Sequence, residues 1–309
     1  MSKVKVFIDG SAGTTGLRIH ERLADRNDVS LMILPDELRK NPEARKEALH
    51  SADIAFLCLP DDAAREAVAM AEGCGVAIID TSTAHRTADG WEYGFPELFG
   101  RREKIKNSKR IGNPGCHASG FIALVEPLVR EGVIARDTRL SCYSVTGYSG
   151  GGKKMIAEYE SEEREKLLDS PRMYALGQKH KHLPEMAVIS GIDNSPVFCP
   201  IVAPFYSGME VSVPLHRAEI NADADKIRDI YADYYAQGLV RYAENADENG
   251  FLSSTALEGR DDMQITVCGN GDRILLVARY DNLGKGASGA AIQNMNLLIG
   301  ADEAEGLNV

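Results

Sequence analysis

Short, strongly apolar runs alternate with amphipathic stretches through the first third of the chain. "KVKVFIDG" near the N-terminus, then "VSLMILP", "ADIAFLCLP" and "VAIIDTS", read as strands, and runs this apolar are usually covered on both faces. Between them, "TTGLRIHERLADR" carries apolar residues at helical spacing, and "DDAAREAVAMAEGCG" is a helix stopped by glycine. Strand and helix in regular succession predict a parallel, doubly wound sheet. After about residue 117 the pattern changes. "TRLSCYSVTGY", "EVSVPLH" and "MQITVCGNGDRILLVARY" alternate in a more antiparallel manner, with "GNGD" as a hairpin turn signal. Helices interrupt these strands at "KKMIAEYESEEREKLL" and "ADKIRDIYADYYAQG", and "GKGASGAAIQNMNLLIG" reads as a final helix. The second part is therefore expected to be an α+β domain.

Composition narrows the function classes. A chain of 309 residues, 44% hydrophobic, can fill the core of one large domain or two medium ones. A net charge of −11 with no long basic block argues against nucleic acid or an acidic membrane surface as partner. No apolar run reaches membrane-spanning length, and "MSKVKVFIDG" enters a strand pattern with no signal-peptide core. The six cysteines are scattered without a C-x-x-C, unlike a disulfide scaffold or a zinc ribbon, so no metal is expected. These features suggest a soluble, reduced, cytoplasmic protein.

Two stretches carry candidate chemistry. In "IDGSAGTTG", Gly10, Gly13 and Gly16 follow the first strand and open the first helix. Glycines let backbone N–H groups approach a pyrophosphate, and a helix N-terminus attracts its charge, so the loop reads as a dinucleotide site of the Rossmann type. Ser11, Thr14 and Thr15 add hydroxyl donors. The spacing is G-x-x-G-x-x-G rather than G-x-G-x-x-G, and a plain strand-to-helix turn with a threonine cap is the competing reading. Arg39 and Lys40 beyond the second strand suit a 2′-phosphate and favour NADP over NAD, with Asp36 a weak counter-sign. The fourth strand closes into "IDTSTAHRT", where Ser82 is a candidate contact to the nicotinamide amide. Arg86 is there a candidate to grip a carboxylate or phosphate.

The second stretch is "IGNPGCHASG", in which Pro114 and Gly115 turn the chain and Cys116 stands where a helix begins. A helix N-terminus favours thiolate, the nucleophilic form. Cys58, Cys142 and Cys268 lie inside strand patterns and read as buried apolar residues. A nucleophile needs a proton partner, and "GQKHKHLPEM" offers His180, His182 and Glu185. Pro184 there suggests an extended segment entering a helix. Beside Lys179 and Lys181 the two histidines also fit a solvated basic strand. The favoured arrangement has Glu185 orienting His182 as acid/base while His180 binds substrate. "TGYSGGGKK" places Ser149 and Lys153 in a second glycine-rich turn, either an anion site or a flexible turn. Asn113 joins the candidate substrate contacts.

These residues resemble the short form of the N-acetyl-gamma-glutamyl-phosphate reductases of arginine biosynthesis, over nearly the whole chain. "IGNPGC" followed by Gly120, Val125 and Pro127 resembles the family signature, "HKHLPE" its histidine motif, and residues 281–300 its C-terminal cofactor-facing segment. His117 and Ser119 depart from the longer form, which has an aromatic and a threonine there. The resemblance implies a Rossmann-type domain over 1–116 with 285–309, because the last helix folds back. It also implies an aspartate-semialdehyde-dehydrogenase-like catalytic and oligomerisation domain over 117–284, in a homo-oligomer (dimer or tetramer). Asn282 and Gly286 are implied near the nicotinamide. The implied reaction is NADPH-dependent reduction of an acyl phosphate through a Cys116 thioester. Aspartyl or aminoadipyl phosphate are alternative substrates with the same chemistry. A cysteine hydrolase would not need the glycine loop, and a nucleotide-binding regulator would not need the thiol.

Overall fold

The computed structural model describes residues 3–309, which divide into two units. Among the described residues, the first comprises 3–114 with Ala287–Leu307, and the second Gly115–Gly286 with Asn308 and Val309.

The first unit is built on six parallel strands, β1 (Val4–Asp9), β2 (Val29–Met32), β3 (Ile54–Leu57), β4 (Ala77–Asp80), β5 (Glu92–Tyr93) and β6 (Arg110–Gly112), in the order β2-β1-β3-β4-β6-β5. Its helices are α1 (Thr14–Leu23), α2 (Pro42–Ser51), α3 (Asp61–Met70), α4 (Arg101–Lys106) and the C-terminal helix Gly289–Ile299. Strand alternation divides the core. Val6, Ile8, Ile54, Phe56 and Ile79 face a layer that holds Ile19, Leu23, Ile105, Ile292 and Met295. Phe7, Ala55, Leu57 and Ile78 face Ala48, Leu49, Ala64 and Ala67. Helices therefore cover both faces, as the apolar runs required. The neighbours of β1 lie on opposite sides, so the strand order reverses there, where such sheets bind ligands beyond the carboxyl ends.

α2 and the return of the C-terminal helix complete this unit. Asn41 caps α2 through a bond from the Ala44 N–H, and Arg45 on α2 reaches back to Asp9 at the end of β1. The C-terminal helix is held by polar side chains inside the unit: Asn294 Nδ2 donates to the Gly94 carbonyl and Gln293 Nε2 to Glu97.

The second unit opens with α5 (Cys116–Arg130) and carries β7 (Ser141–Gly147), α6 (Gly152–Glu160), β8 (Arg172–Met173), α7 (Leu183–Ser190), β9 (Val197–Ala203), β10 (Met209–His216), α8 (Ala224–Tyr234), β11 (Val240–Tyr242), β12 (Met263–Gly269) and β13 (Arg273–Tyr280). The seven strands run β11-β12-β13-β10-β7-β9-β8. The sheet is mixed rather than antiparallel, because β7 pairs β9 and β11 pairs β12 in parallel. The expected hairpin joins β12 and β13, with Gly269 at φ +117° entering its turn. The helix expected over 153–168 stops at Glu160, where Ser161 turns extended and its hydroxyl accepts from the Glu163 N–H. Pro200 shortens β8. Tyr174 donates its N–H to the Pro200 carbonyl, but proline has no N–H to return, so the ladder ends there. Among the described residues no helix is long and apolar enough to cross a membrane.

Candidate active site

In the first unit, β1 delivers the chain into the glycine loop. Gly10 has φ +87°, and a Cβ there would lie 2.3 Å from the Cys58 carbonyl oxygen. A Cβ on Gly16 would lie 2.5 Å from the Gly10 carbonyl oxygen. Gly13 has room, with its nearest neighbour 3.4 Å away, and serves as the N-cap of α1. The cap is glycine rather than threonine, and no side chain closes the helix start, so backbone N–H groups are presented there. The first turn also lacks acidic residues. Ser11, Thr14 and Thr15 are half-buried around it. This is a cradle that fits a pyrophosphate. Arg39 lies in the turn after β2, 3.3 Å from the Asp36 carboxylate, so Asp36 faces the arginine it was set against. Arg39 is half-buried, and Lys40 next to it is exposed.

Three expected ligand contacts hold the chain at the carboxyl ends of β4 and β6. Ser82 gives its hydroxyl proton to Asp80 at 2.8 Å and accepts from the Ala84 N–H, which closes the turn there. Arg86 is buried and donates to the carbonyls of Asn113 and Thr81. Asn113 donates to the Ala287 carbonyl and accepts from Asn294, tying the returning segment to β6.

The second unit holds the thiol. Cys116 is the first residue of α5, after the N-cap Gly115, and is half-buried. α5 packs against α7, α8, β10 and β13, so its start is fixed from several sides. Gly286 lies against it: a Cβ added there would be 3.1 Å from the Cys116 Cβ. The Tyr280 hydroxyl donates to the Cys116 carbonyl at 2.5 Å and accepts from the Gly120 N–H at 3.0 Å. Burial pushes the Cys58 thiol up to about 12 and raises Cys142 and Cys268, so these are poor nucleophiles.

The histidine motif reaches the same place. His182 is the N-cap of α7, with Pro184 in its first turn; the helix is as expected, but the approach to it is a turn rather than extended, because His182 is at φ −86°, ψ −13° and the Leu183 N–H bonds back to the His180 carbonyl. Glu185 is buried and its Oε2 accepts from the Gly115 N–H at 3.2 Å, directly before the thiol. His182 Nε2 is 4.0 Å from Glu185 Oε1, an ion-pair distance rather than the expected orienting hydrogen bond. His180 Nδ1 accepts from the His182 N–H at 3.2 Å, which leaves Nε2 to carry the proton of a neutral ring. The two rings are 4.7 Å apart, so this is no solvated basic strand.

Ser149 and Lys153 do not converge. Ser149 is buried and accepts from Asn282 Nδ2 at 3.0 Å, whereas Lys153 is exposed on α6. Asn282 also accepts from the Gly208 N–H, so both ends of its amide brace the second unit.

Sequence reasoning missed His117 and Tyr174. The His117 ring centroid lies 5.7 Å from that of His180 and 5.6 Å from that of His182. It is hydrogen-bonded to Ser144 Oγ and Tyr174 Oη, each at 2.6 Å. A polar ring beside the nucleophile in "GCHASG", where the longer form has an aromatic, was the available signal.

Two family models match the chain: "Semialdehyde dehydrogenase, NAD binding domain" over residues 34–108 and "Semialdehyde dehydrogenase, dimerisation domain" over residues 116–282. A solved structure of aspartate semialdehyde dehydrogenase II from Vibrio cholerae has the same fold, with a TM-score of 0.74 at 17% identity, covering 97% of this chain and 99% of that one. Fold and thiol site thus define the class, a semialdehyde dehydrogenase with an NAD(P)-binding domain. N-acetyl-gamma-glutamyl-phosphate reductase 2 of a Nostoc species is 44% identical across 99% of this chain and 100% of its own length. N-acetyl-gamma-glutamyl-phosphate reductase of Rhizobium meliloti is 45% identical across 97% and 100%. The chain belongs to the N-acetyl-gamma-glutamyl-phosphate reductase family.

Proposed function

We propose that the protein reduces N-acetyl-L-glutamyl 5-phosphate to N-acetyl-L-glutamate 5-semialdehyde with NADPH, releasing phosphate, as a step of arginine biosynthesis in the cytoplasm. The observation that carries this reading is a thiol at the start of a buried helix, with Glu185 of the histidine–glutamate motif bonded to the residue before it, in a chain whose other half presents a pyrophosphate cradle. Near-full-length identity to reductases of that name favours this acyl group over aspartyl or aminoadipyl phosphate.

Gly10, Gly13 and Gly16, with Ser11, Thr14 and Thr15, would hold the pyrophosphate of NADPH, and Arg39 its 2′-phosphate. When bound, the nucleotide supplies the hydride. The Cys116 sulfur adds to the acyl carbonyl, and phosphate leaves with its electron pair, giving a thioester. Backbone N–H groups at the start of α5 face the oxygen that becomes negative. His182, 4.0 Å from the Glu185 carboxylate, shares a proton with that oxygen as the thioester is reduced. It recovers the proton when the hemithioacetal collapses to aldehyde and thiolate. His180 offers Nε2–H to the substrate.

A homo-oligomer, dimer or tetramer, would form through the second unit. Tyr143 on β7 and Leu275 on β13 stand exposed on its sheet, and sedimentation would give the assembly size. The deciding assay is NADP reduction with N-acetylglutamate semialdehyde and phosphate, against aspartate semialdehyde. Faster turnover of aspartate semialdehyde would overturn the assignment.

A further inference from the structure

One polar chain beside the thiol has no part in the steps of that reaction. His117 follows Cys116 on α5, with its Nδ1 2.6 Å from Ser144 Oγ and its Nε2 2.6 Å from Tyr174 Oη. Burial first, then the neighbouring His180 and Lys181, pushes its pKa down to about 3, so the ring is neutral. A neutral imidazole has one N–H and one lone pair. The protons of the chain therefore run in one of two senses, and Ser144 selects between them. Ser144 is fully buried on β7, and its hydroxyl meets the His117 ring. A buried hydroxyl that cannot donate is costly, so its proton goes to Nδ1. The ring proton then sits on Nε2 and is donated to Tyr174 Oη. Tyr174 accepts there, and its own O–H is directed away from His117.

Tyr174 directly follows β8, its N–H bonded to the Pro200 carbonyl, in edge contact with His180 at 5.9 Å between ring centroids. Burial and the negative charge of Cys116 raise its hydroxyl well above the ordinary tyrosine range, so it keeps its proton.

We propose that Tyr174 is a further catalytic residue. Its O–H donates to the acyl oxygen that becomes negative when Cys116 adds to the substrate carbonyl, and His117 and Ser144 are positioning residues that fix the direction of that proton. The tyrosine is never deprotonated. The S–C bond forms as the C=O pair moves onto oxygen, and that pair returns as the leaving group departs with the electrons of the breaking bond. The inference rests on the acyl-transfer reading of Cys116 but not on the identity of the acyl group.

The test is acylation of Cys116 by p-nitrophenyl acetate, read as nitrophenolate release, which needs neither nucleotide nor phosphate. Alkylation by iodoacetamide is the control, because it forms no oxyanion. Tyr174→Phe should slow acylation ~10²-fold, the cost of losing one oxyanion donor, and leave alkylation at the wild-type rate. Ser144→Ala should slow acylation less, and not at all further in the Tyr174→Phe background. His117→Gln, whose amide N–H can replace Nε2–H, should retain more activity than His117→Phe. Unchanged acylation in Tyr174→Phe, a parallel fall in alkylation, or additive effects of the two substitutions would each overturn the proposal. A wild-type enzyme that is alkylated but not acylated would remove both this proposal and the thioester reading. A tyrosine effect on acylation in an enzyme that rejects N-acetylglutamate semialdehyde would remove only the substrate assignment.

Discussion

The glycine loop and the thiol site are made in opposite ways. The loop is one contiguous stretch whose working parts are backbone N–H groups, and its specificity lies in atoms that are absent: a Cβ on Gly10 or Gly16 would strike a carbonyl oxygen at 2.3 or 2.5 Å. The thiol site is assembled from side chains on the start of α5, on β7, on the turn after β8 and at the entry to α7. A backbone site is therefore broken by adding atoms, and a side-chain site by removing them.

The largest effect should come from removing the nucleophile. Cys116→Ser is expected to lower kcat by more than ~10⁴-fold while NADPH binding, followed by fluorescence titration, stays intact. Retained turnover would mean that the thiol is a bystander. Iodoacetamide should label Cys116 before Cys58 or Cys142, whose thiols burial holds in the neutral form.

Next is the acid. His182→Asn should lower kcat by about 10²- to 10⁴-fold, whereas His180→Asn should mainly raise KM. The reverse pattern in steady-state kinetics would move the proton to His180, which already presents Nε2–H.

In the loop, the sign of the change inverts. Gly16→Ala should weaken NADPH binding by at least about tenfold, because its Cβ meets the Gly10 carbonyl at 2.5 Å. Gly13→Ala, with 3.4 Å of room, should bind nearly as wild type. Equal affinities for the two variants by calorimetry would show that the cradle tolerates side chains and that the contrast with the thiol site is misplaced.

The smallest effect concerns the 2′-phosphate. The wild type should prefer NADP over NAD by about tenfold (~1.4 kcal/mol), and Arg39→Ala should reduce that preference. An unaltered ratio would assign the discrimination to another group, with Lys40 the nearest candidate.

The alternation that defines the first sheet was legible because the strands are covered on both faces and read as apolar runs. α2 escaped notice because its polar "PEARKEALHS" buries only Arg45, Ala48 and Leu49. β9 was hidden by Pro200, which sits inside the sheet because its missing N–H falls where β8 ends. Cys116, His180, His182 and Glu185 were legible as local motifs, and the fold brings their segments together. Ser82, Arg86, Asn113, Ser149 and Asn282 also brace the fold, which their motifs did not show. Each is a polar residue near an expected ligand position, and a sequence does not reveal when such a group also bonds the protein's own backbone and side chains. His117, Ser144 and Tyr174 were missed because their link exists only in three dimensions, across 27 and 57 positions of chain.

The Tyr280 hydroxyl bridges the Cys116 carbonyl and the Gly120 N–H, the two groups that would otherwise close the first α-helical turn on each other. The phenol occupies the space a side chain at position 120 would need, since a Cβ there would lie 2.7 Å from that oxygen. Two positions 160 residues apart are thus locked into one inheritance. An alanine at 120 demands room at both 280 and 211, because its Cβ would also lie 2.7 Å from Val211 Cγ2. A phenylalanine at 280 lets the turn re-knit and shifts the frame that holds the thiol, so re-tuning this helix means changing a group of packed residues and not one position.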